Sequence, residues 1–307
     1  MATSTSPAAA APAPPPPGPA GGRPGGGPHG AVARFARNPW AMGGLIVILA
    51  LVAMAVLAPV IAPRNPDVSY PDAINALGQA LGPSPAFPLG TDELGRDVLS
   101  RIVWGARVSL EVGFLATFIT MAIGIALGVT AGYFGGWVDL AIMRLTDIML
   151  AFPYLLFVIV VVSVVRPSVA IIILVIGLLG WAPIARIARG QALSTVQNEY
   201  IEGARAVGAS HTRIMFRHLV PNMLAPIIVY GFLQVGVNIL TEAALAYLGL
   251  GAPPPTPDWG SMVSEGQQYM QTMPWLFFYP GAAIALTVVA FNLVGDGLNE
   301  ALNPRRL

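Results

Sequence analysis

Six stretches of this 307-residue chain are apolar for about the length of a bilayer crossing: residues 40–62, 108–133, 142–165, 168–185, 223–248 and 277–298. A helix needs about 20 apolar residues to cross a hydrocarbon core of about 30 Å, and lipid offers no partner to a bare backbone amide. The expected fold class is therefore all-α and polytopic, with six transmembrane helices. Hydrophobic residues make up 55% of the chain and charged residues 10%, with a mean hydropathy of +0.68. Soluble domains carry about 25% charged residues. A net charge of +1 gives no basis for a nucleic-acid partner. The absence of cysteine excludes disulfides, thiolate nucleophiles and Cys-ligated metals.

Six crossings return the chain to its starting side, and charge decides which side that is. All 16 basic residues are arginine. Eleven of them, Arg23, Arg34, Arg37, Arg144, Arg186, Arg189, Arg205, Arg213, Arg217, Arg305 and Arg306, fall on the face that holds both termini. The other five are Arg64, Arg96, Arg101, Arg107 and Arg166. The positive-inside rule places both termini and the segment at residues 199–222 in the cytoplasm. Residues 1–36 are rich in Pro, Gly and Ala without apolar periodicity, so a disordered cytoplasmic tail is expected there. A signal peptide is not expected, because the first apolar run arrives late and is too long. The resulting division is the tail, a first transmembrane helix with its extracytoplasmic loop over residues 37–107, and a five-helix core over residues 108–307.

Between the fourth and fifth runs lies a polar, Arg-bearing segment, EYIEGARAVGASHTRIMFRHLVPN. Residues 199–207 hold good helix formers with Ile201, Ala204 and Val207 near one face, and Gly208 can take the left-handed conformation that ends a helix. Ser210 can cap a second helix running through Arg217. Pro221 suits the start of the next span, where first-turn amides have no intrahelical partner. The reading is a helix, turn, helix elbow at the membrane surface. An ordinary cytoplasmic loop, basic because of topology, is the competing one.

Charged residues also enter the spans. Arg144 and Asp147 are three residues apart and can neutralise each other, with Asp139 nearby. Glu242 lies deep in the fifth run and Asp296 near the inner end of the sixth, so a proton relay or structural pairing is open to them. With no histidine in any span, structural pairing is favoured. Gly124, Gly128 and Gly132 recur every fourth residue, a pattern that permits close helix approach. In the outer loop, Asp92, Glu93, Arg96 and Asp97 suit a salt-bridged turn. Residues 98–103 then suggest an interfacial helix, with Trp104 as a belt residue. A second outer loop carries PPPTPDWGSM with Trp259. Either loop could be a contact surface or a connector.

Catalytic motifs are missing: no phosphate-binding GK[ST] loop, HExxH or GxSxG occurs. Any ATP chemistry therefore belongs to another subunit. His211 and His218 are seven residues apart, about 10 Å along a helix, too far to share one metal, and His29 sits in the tail.

The motifs PLGTDELGRDVLSRIVWGARVSL, residues 139–153, the elbow, EAALAYLGLGAPPPTPDWGSM and AFNLVGDGLNEALNPR together resemble the C-type permease subunit of dipeptide, oligopeptide and nickel ABC importers. The likeness runs from about residue 34 onward. Within it, Glu202, Gly203 and Ala204, then Gly208, then His218, Leu219, Val220 and Pro221 resemble the family's EAA loop, which docks the permease onto its ATPase. Gly203, His218 and Val220 depart from the usual Ala, aliphatic residue and Leu. The resemblance implies a coupling loop of Glu199, Glu202, Gly203, Ala204, Arg205, Gly208, Ala209, Ser210, Thr212 and Pro221. It also implies a heterodimer with a B-type permease, two ABC ATPase subunits that carry ATP and Mg, and an extracytoplasmic solute-binding protein. No cofactor is expected on this chain, and the implied location is the bacterial inner membrane. A secondary transporter driven by an ion gradient, coupled through Glu242 or Asp296, is the alternative from another class.

Overall fold

Capping side chains and prolines set the helix ends. The computed structural model describes residues 28–75, 79–166 and 168–302. Most of the expected tail lies outside them, as do Arg305 and Arg306. From Pro28 onward the chain is helical, a correction to the tail reading: α1 (Pro28–Arg37) runs directly into Asn38. The Asn38 side chain accepts from the Trp40 and Ala41 amides and caps α2 (Pro39–Val56), which opens on a proline. A short α3 (Ala58–Ile61) follows, and then the outer loop with one 3-10 turn at Pro71–Ala73. Among the described residues every regular element is helical.

The longest helix, α4 (Val98–Phe134), has 37 residues. Asp97 caps it by accepting from the Ser100 amide at 2.8 Å, so no separate interfacial helix precedes the second span. At 1.5 Å per residue, α4 is about 55 Å long and projects well beyond the hydrocarbon core. It ends at Gly135, where φ is +63°.

The third expected span is a bent pair rather than one rod. α5 (Gly136–Ala151) and α6 (Tyr154–Val164) meet at 83°. Pro153 is the cause, because it has no amide to donate and forces Phe152 into extended backbone at ψ 137°. α7 (Val169–Leu179) and α8 (Trp181–Val196) continue through Gly180 as one 28-residue rod. That rod runs eleven residues past the expected end of the fourth span. α9 (Glu199–Ala206) and α10 (His211–Arg213) build the elbow. A π-helical turn at Ile214–Leu219 then joins α10 to α11 (Val220–Tyr247). α12 (Trp259–Gln267) and α13 (Trp275–Leu302) complete the order.

Small residues bring the long helices together. A Cβ on Gly128 would sit 2.4 Å from the Ala185 carbonyl oxygen. On Gly124 and Gly132 it would come within 2.6 Å of Ile184 and Ala192. The four-residue glycine repeat is thus the seam between α4 and α8. On the other flank, Gly44 lets α2 approach the Ala290 carbonyl of α13.

The end of the bundle next to the loop before α4 is closed by buried polar and aromatic groups. Trp259 is fully buried and its indole donates to the Ile102 carbonyl at 3.0 Å, so it is core rather than contact surface. Asp92 accepts from Arg96 Nε at 2.6 Å, as expected of the turn, and Arg96 and Arg101 both reach Glu265 of α12. Asp97 is used as a cap instead of in an ion pair. Glu93 is half-buried, and its burial raises the carboxyl pKa above the ordinary value.

Candidate functional site

The elbow is assembled from a capped short helix and a long one with a π-helical turn before its proline. α9 places Glu199 and Glu202 in its first turn and Arg205 in its last, the arrangement that favours the helix dipole. Only Ile201 is fully buried, with Ala204 half-buried three residues on. Both pack with Ile214, Leu219, Met223 and Val129. Val207 does not share that face: it is 85% exposed.

The reason lies in the turn. Gly208 has φ +78°, its amide donates to the Arg205 carbonyl at 3.0 Å, and the Ala209 amide reaches back to the Ala204 carbonyl at 3.0 Å. This is the Schellman closure, in which the left-handed residue satisfies two orphan carbonyls and reverses the chain. It turns Val207 outward at the tip while Ala209 returns toward the core. A Cβ on Gly208 or on Gly203 would meet nothing within 4 Å. Gly208 is therefore required by its conformation, whereas Gly203 is required by neither space nor backbone angle.

Ser210 caps the next helix, as expected, with its hydroxyl accepting from the Arg213 amide. That helix does not stop at Arg217. His211 to Tyr247 is one 37-residue helical rod, which corrects the expectation of a separate second helix. Within it the Val220 amide bonds five residues back, to the Met215 carbonyl. The wide turn precedes Pro221, whose ring would clash with a carbonyl four residues earlier and which has no amide to donate.

Tyr133, at the end of α4, ties the elbow to the bundle. Its hydroxyl lies 2.8 Å from His211 Nδ1, and the Arg205 guanidinium sits over its ring at 5.3 Å. Sequence reasoning missed Tyr133, whose role depends on a contact across some 80 residues, and misplaced Val207, whose direction is set by the turn geometry. Of the expected loop residues, Glu199, Glu202, Gly203, Arg205, Gly208, Ser210, Thr212 and Pro221 are exposed, and Ala204 and Ala209 face inward.

The polar groups of the spans pair differently from the expectation. Asp147 is held by Arg186 at 2.6 Å and Asp139 by a two-pronged contact from Arg189. Arg144 is not the partner, since α5 turns both aspartates toward α8. Glu242 is buried, and its Oε2 accepts from Ser109 at 3.0 Å. Asn238 donates to Thr117 Oγ1 at 2.9 Å on the same α4 and α11 seam. Asp296 is exposed on α13. Outside the spans, Asp258 caps α12 by accepting from the Ser261 amide at 2.7 Å, while burial raises its carboxyl pKa. Glu242 thus lies in the seam between α4 and α11, with Oε2 hydrogen-bonded and Oε1 buried without a partner.

The family described as binding-protein-dependent transport system inner membrane component matches residues 124–307. The N-terminal TM domain of oligopeptide transport permease C matches residues 29–83. The dipeptide transport system permease protein DppC of Alkalihalophilus pseudofirmus is 42% identical, over 90% of this chain and 89% of the relative. That of Haemophilus influenzae is 43% identical, over 88% and 92%. The glutathione transport system permease protein GsiD of Pectobacterium atrosepticum is 40% identical, over 89% of each chain. An inward-facing MetNI methionine ABC transporter chain shares the fold at a TM-score of 0.51 and 20% identity, covering 66% of this chain and 95% of that one. The chain therefore belongs to the binding-protein-dependent transport system inner membrane components, as an ABC-importer permease of the C type.

Proposed function

We propose that this permease forms half of the path by which an ATP-driven importer moves short peptides across a bacterial inner membrane. Its partner in the membrane is a B-type permease. Two ABC ATPases, which carry ATP and Mg, act on the elbow, and an extracytoplasmic binding protein delivers the solute. The observation that carries the coupling role is the build of the elbow: a capped, exposed tip at Val207 and Gly208, anchored at its base by Ile201 and by the Tyr133 and His211 contact. A push on such a tip is passed to α8 and α11 as a rigid movement, because both ends of the elbow are packed rather than loose. α8 in turn is locked to α4 through the glycine seam, so the two helices move together. Two relatives are named for dipeptide transport and one for glutathione transport, itself a short peptide, which supports the substrate class.

The test is reconstitution of the complete complex in vesicles, with binding proteins loaded with a dipeptide, glutathione or a nickel chelate. Hydrolysis of ATP and uptake are followed together. Peptide-loaded protein is expected to stimulate both. Stimulation by the nickel chelate alone would remove the peptide reading. Uptake lost to a protonophore while ATP is maintained would favour the ion-gradient alternative instead.

A further inference from the structure

The junction of α1, α2 and α13 forms a cleft of about 470 Å³, lined by none of the elbow residues. Its walls are mostly apolar in character, with Trp40 and Gly297 among them, and its rim carries Arg34 and Arg37. The cleft exists because the helices meet closely below it: a Cβ on Gly297 would fall 2.2 Å from that of Ala41 and 3.5 Å from the Phe35 ring. Phe35 is thereby wedged between the helices, and α1 is laid across the end of α13.

The charges on the rim are unequal. Arg34 is spent in part on the fold, donating through Nε and Nη2 to the Ala301 carbonyl at 3.0 and 2.8 Å. Glu300 is the carboxylate in the lining, and its Oε2 accepts from Asn38 Nδ2 at 2.8 Å. Arg37 is exposed beside them, so two guanidinium groups face one carboxylate and the rim is net positive. Trp40 is 73% exposed at the first turn of a membrane span, the depth at which an indole sits among lipid headgroups. Val32 is 69% exposed on α1. α1 thus presents both apolar and cationic groups at the membrane boundary, as interfacial helices do.

We infer that this cleft binds one anionic phospholipid, its phosphate held by Arg37 and Arg34 and its upper acyl chain lying against Trp40. Charge selects the ligand: a zwitterionic lipid brings its own cation to a rim that is already positive, and a free phosphate leaves the apolar wall uncovered. The bound lipid would pin α1 to the last turn of α13.

Native mass spectrometry of the delipidated complex, titrated separately with phosphatidylglycerol, phosphatidylcholine and inorganic phosphate, tests this. One phosphatidylglycerol is expected to be retained in preference to phosphatidylcholine, and millimolar phosphate is expected not to displace it. Arg37→Gln should lower that preference about fivefold, the effect of one surface arginine on an anionic lipid. Arg144→Gln, which removes an exposed arginine elsewhere, should leave it unchanged. Arg34→Gln is less informative, because Arg34 also supports α13. Equal retention of both lipids, an equal loss in Arg144→Gln, or displacement by phosphate alone would overturn the assignment.

Discussion

The hydroxyl of Tyr133 lies 2.8 Å from Nδ1 of His211, joining the end of α4 to the first residue of the helix that becomes the fifth span. One hydrogen bond of this kind contributes about 1 kcal/mol. It is placed at the junction where Arg205 also sits over the Tyr133 ring, between the end of α4 and the elbow. Tyr133→Phe keeps the ring under Arg205 and removes only the hydroxyl. It is expected to leave assembly intact and to lower the ratio of uptake to ATP hydrolysis about fivefold, measured in vesicles with loaded binding protein. An unchanged ratio would mean that the contact does not transmit coupling.

The two glycines of the elbow should behave oppositely. Gly208→Val forces a β-branched residue into φ +78°, at a cost of about 1–2 kcal/mol or more. Reduced co-purification of the ATPases, or hydrolysis without uptake, is the expected result. Gly203→Ala meets open space on a regular helix and should stabilise α9 by about 0.5–1 kcal/mol with transport retained. Should Gly208→Val assemble and transport like the wild type, the segment is a plain connector.

At the glycine seam, Gly128→Ala would place a methyl 2.4 Å from the Ala185 carbonyl oxygen, which is backbone and cannot swing aside. Overpacking of this kind costs about 1–3 kcal/mol. A lower melting temperature in detergent is expected, whereas Gly190→Ala, with nothing within 4 Å, should hold or raise it. Equal melting of the two variants would show that α4 and α8 are not so closely fixed.

Asp258 gives a pH dependence with a defined sign. Its folded pKa is raised by burial above the ordinary 3.8, so the folded state binds the proton more tightly than the unfolded state does. Its contribution is fully present below the unfolded pKa and is lost as pH rises through the folded one. Asp258→Asn keeps an oxygen that can accept from the Ser261 amide and removes the titration. The variant should melt with a flatter pH profile from about pH 4 upward and be the more stable at neutral pH. A wild-type-like slope would assign the pH dependence elsewhere.

Orientation is tested by single cysteines in this cysteine-free chain. Ser210→Cys on the elbow should resist impermeant thiol reagents in intact cells and react after permeabilisation. Ala86→Cys, exposed in the outer loop, should react at once. The reverse pattern would invert the topology.

By itself the sequence determined the apolar runs, the arginine asymmetry, the four-residue glycine repeat and the left-handed turn at Gly208. Each of these depends on a residue's own chemistry or on neighbours within a turn or two: a span needs only length and hydropathy, and a positive φ needs only the missing Cβ. Tertiary structure decided what depends on partners far along the chain. Arg186 and Arg189, rather than Arg144, neutralise Asp147 and Asp139, because α5 lies against α8. Trp259 became core because Ile102, 157 residues away, accepts its indole proton. Tyr133 became an elbow residue because the end of α4 meets the start of α10 there. Spacing along a helix shows which side chains share a face, but not which other helix that face will meet.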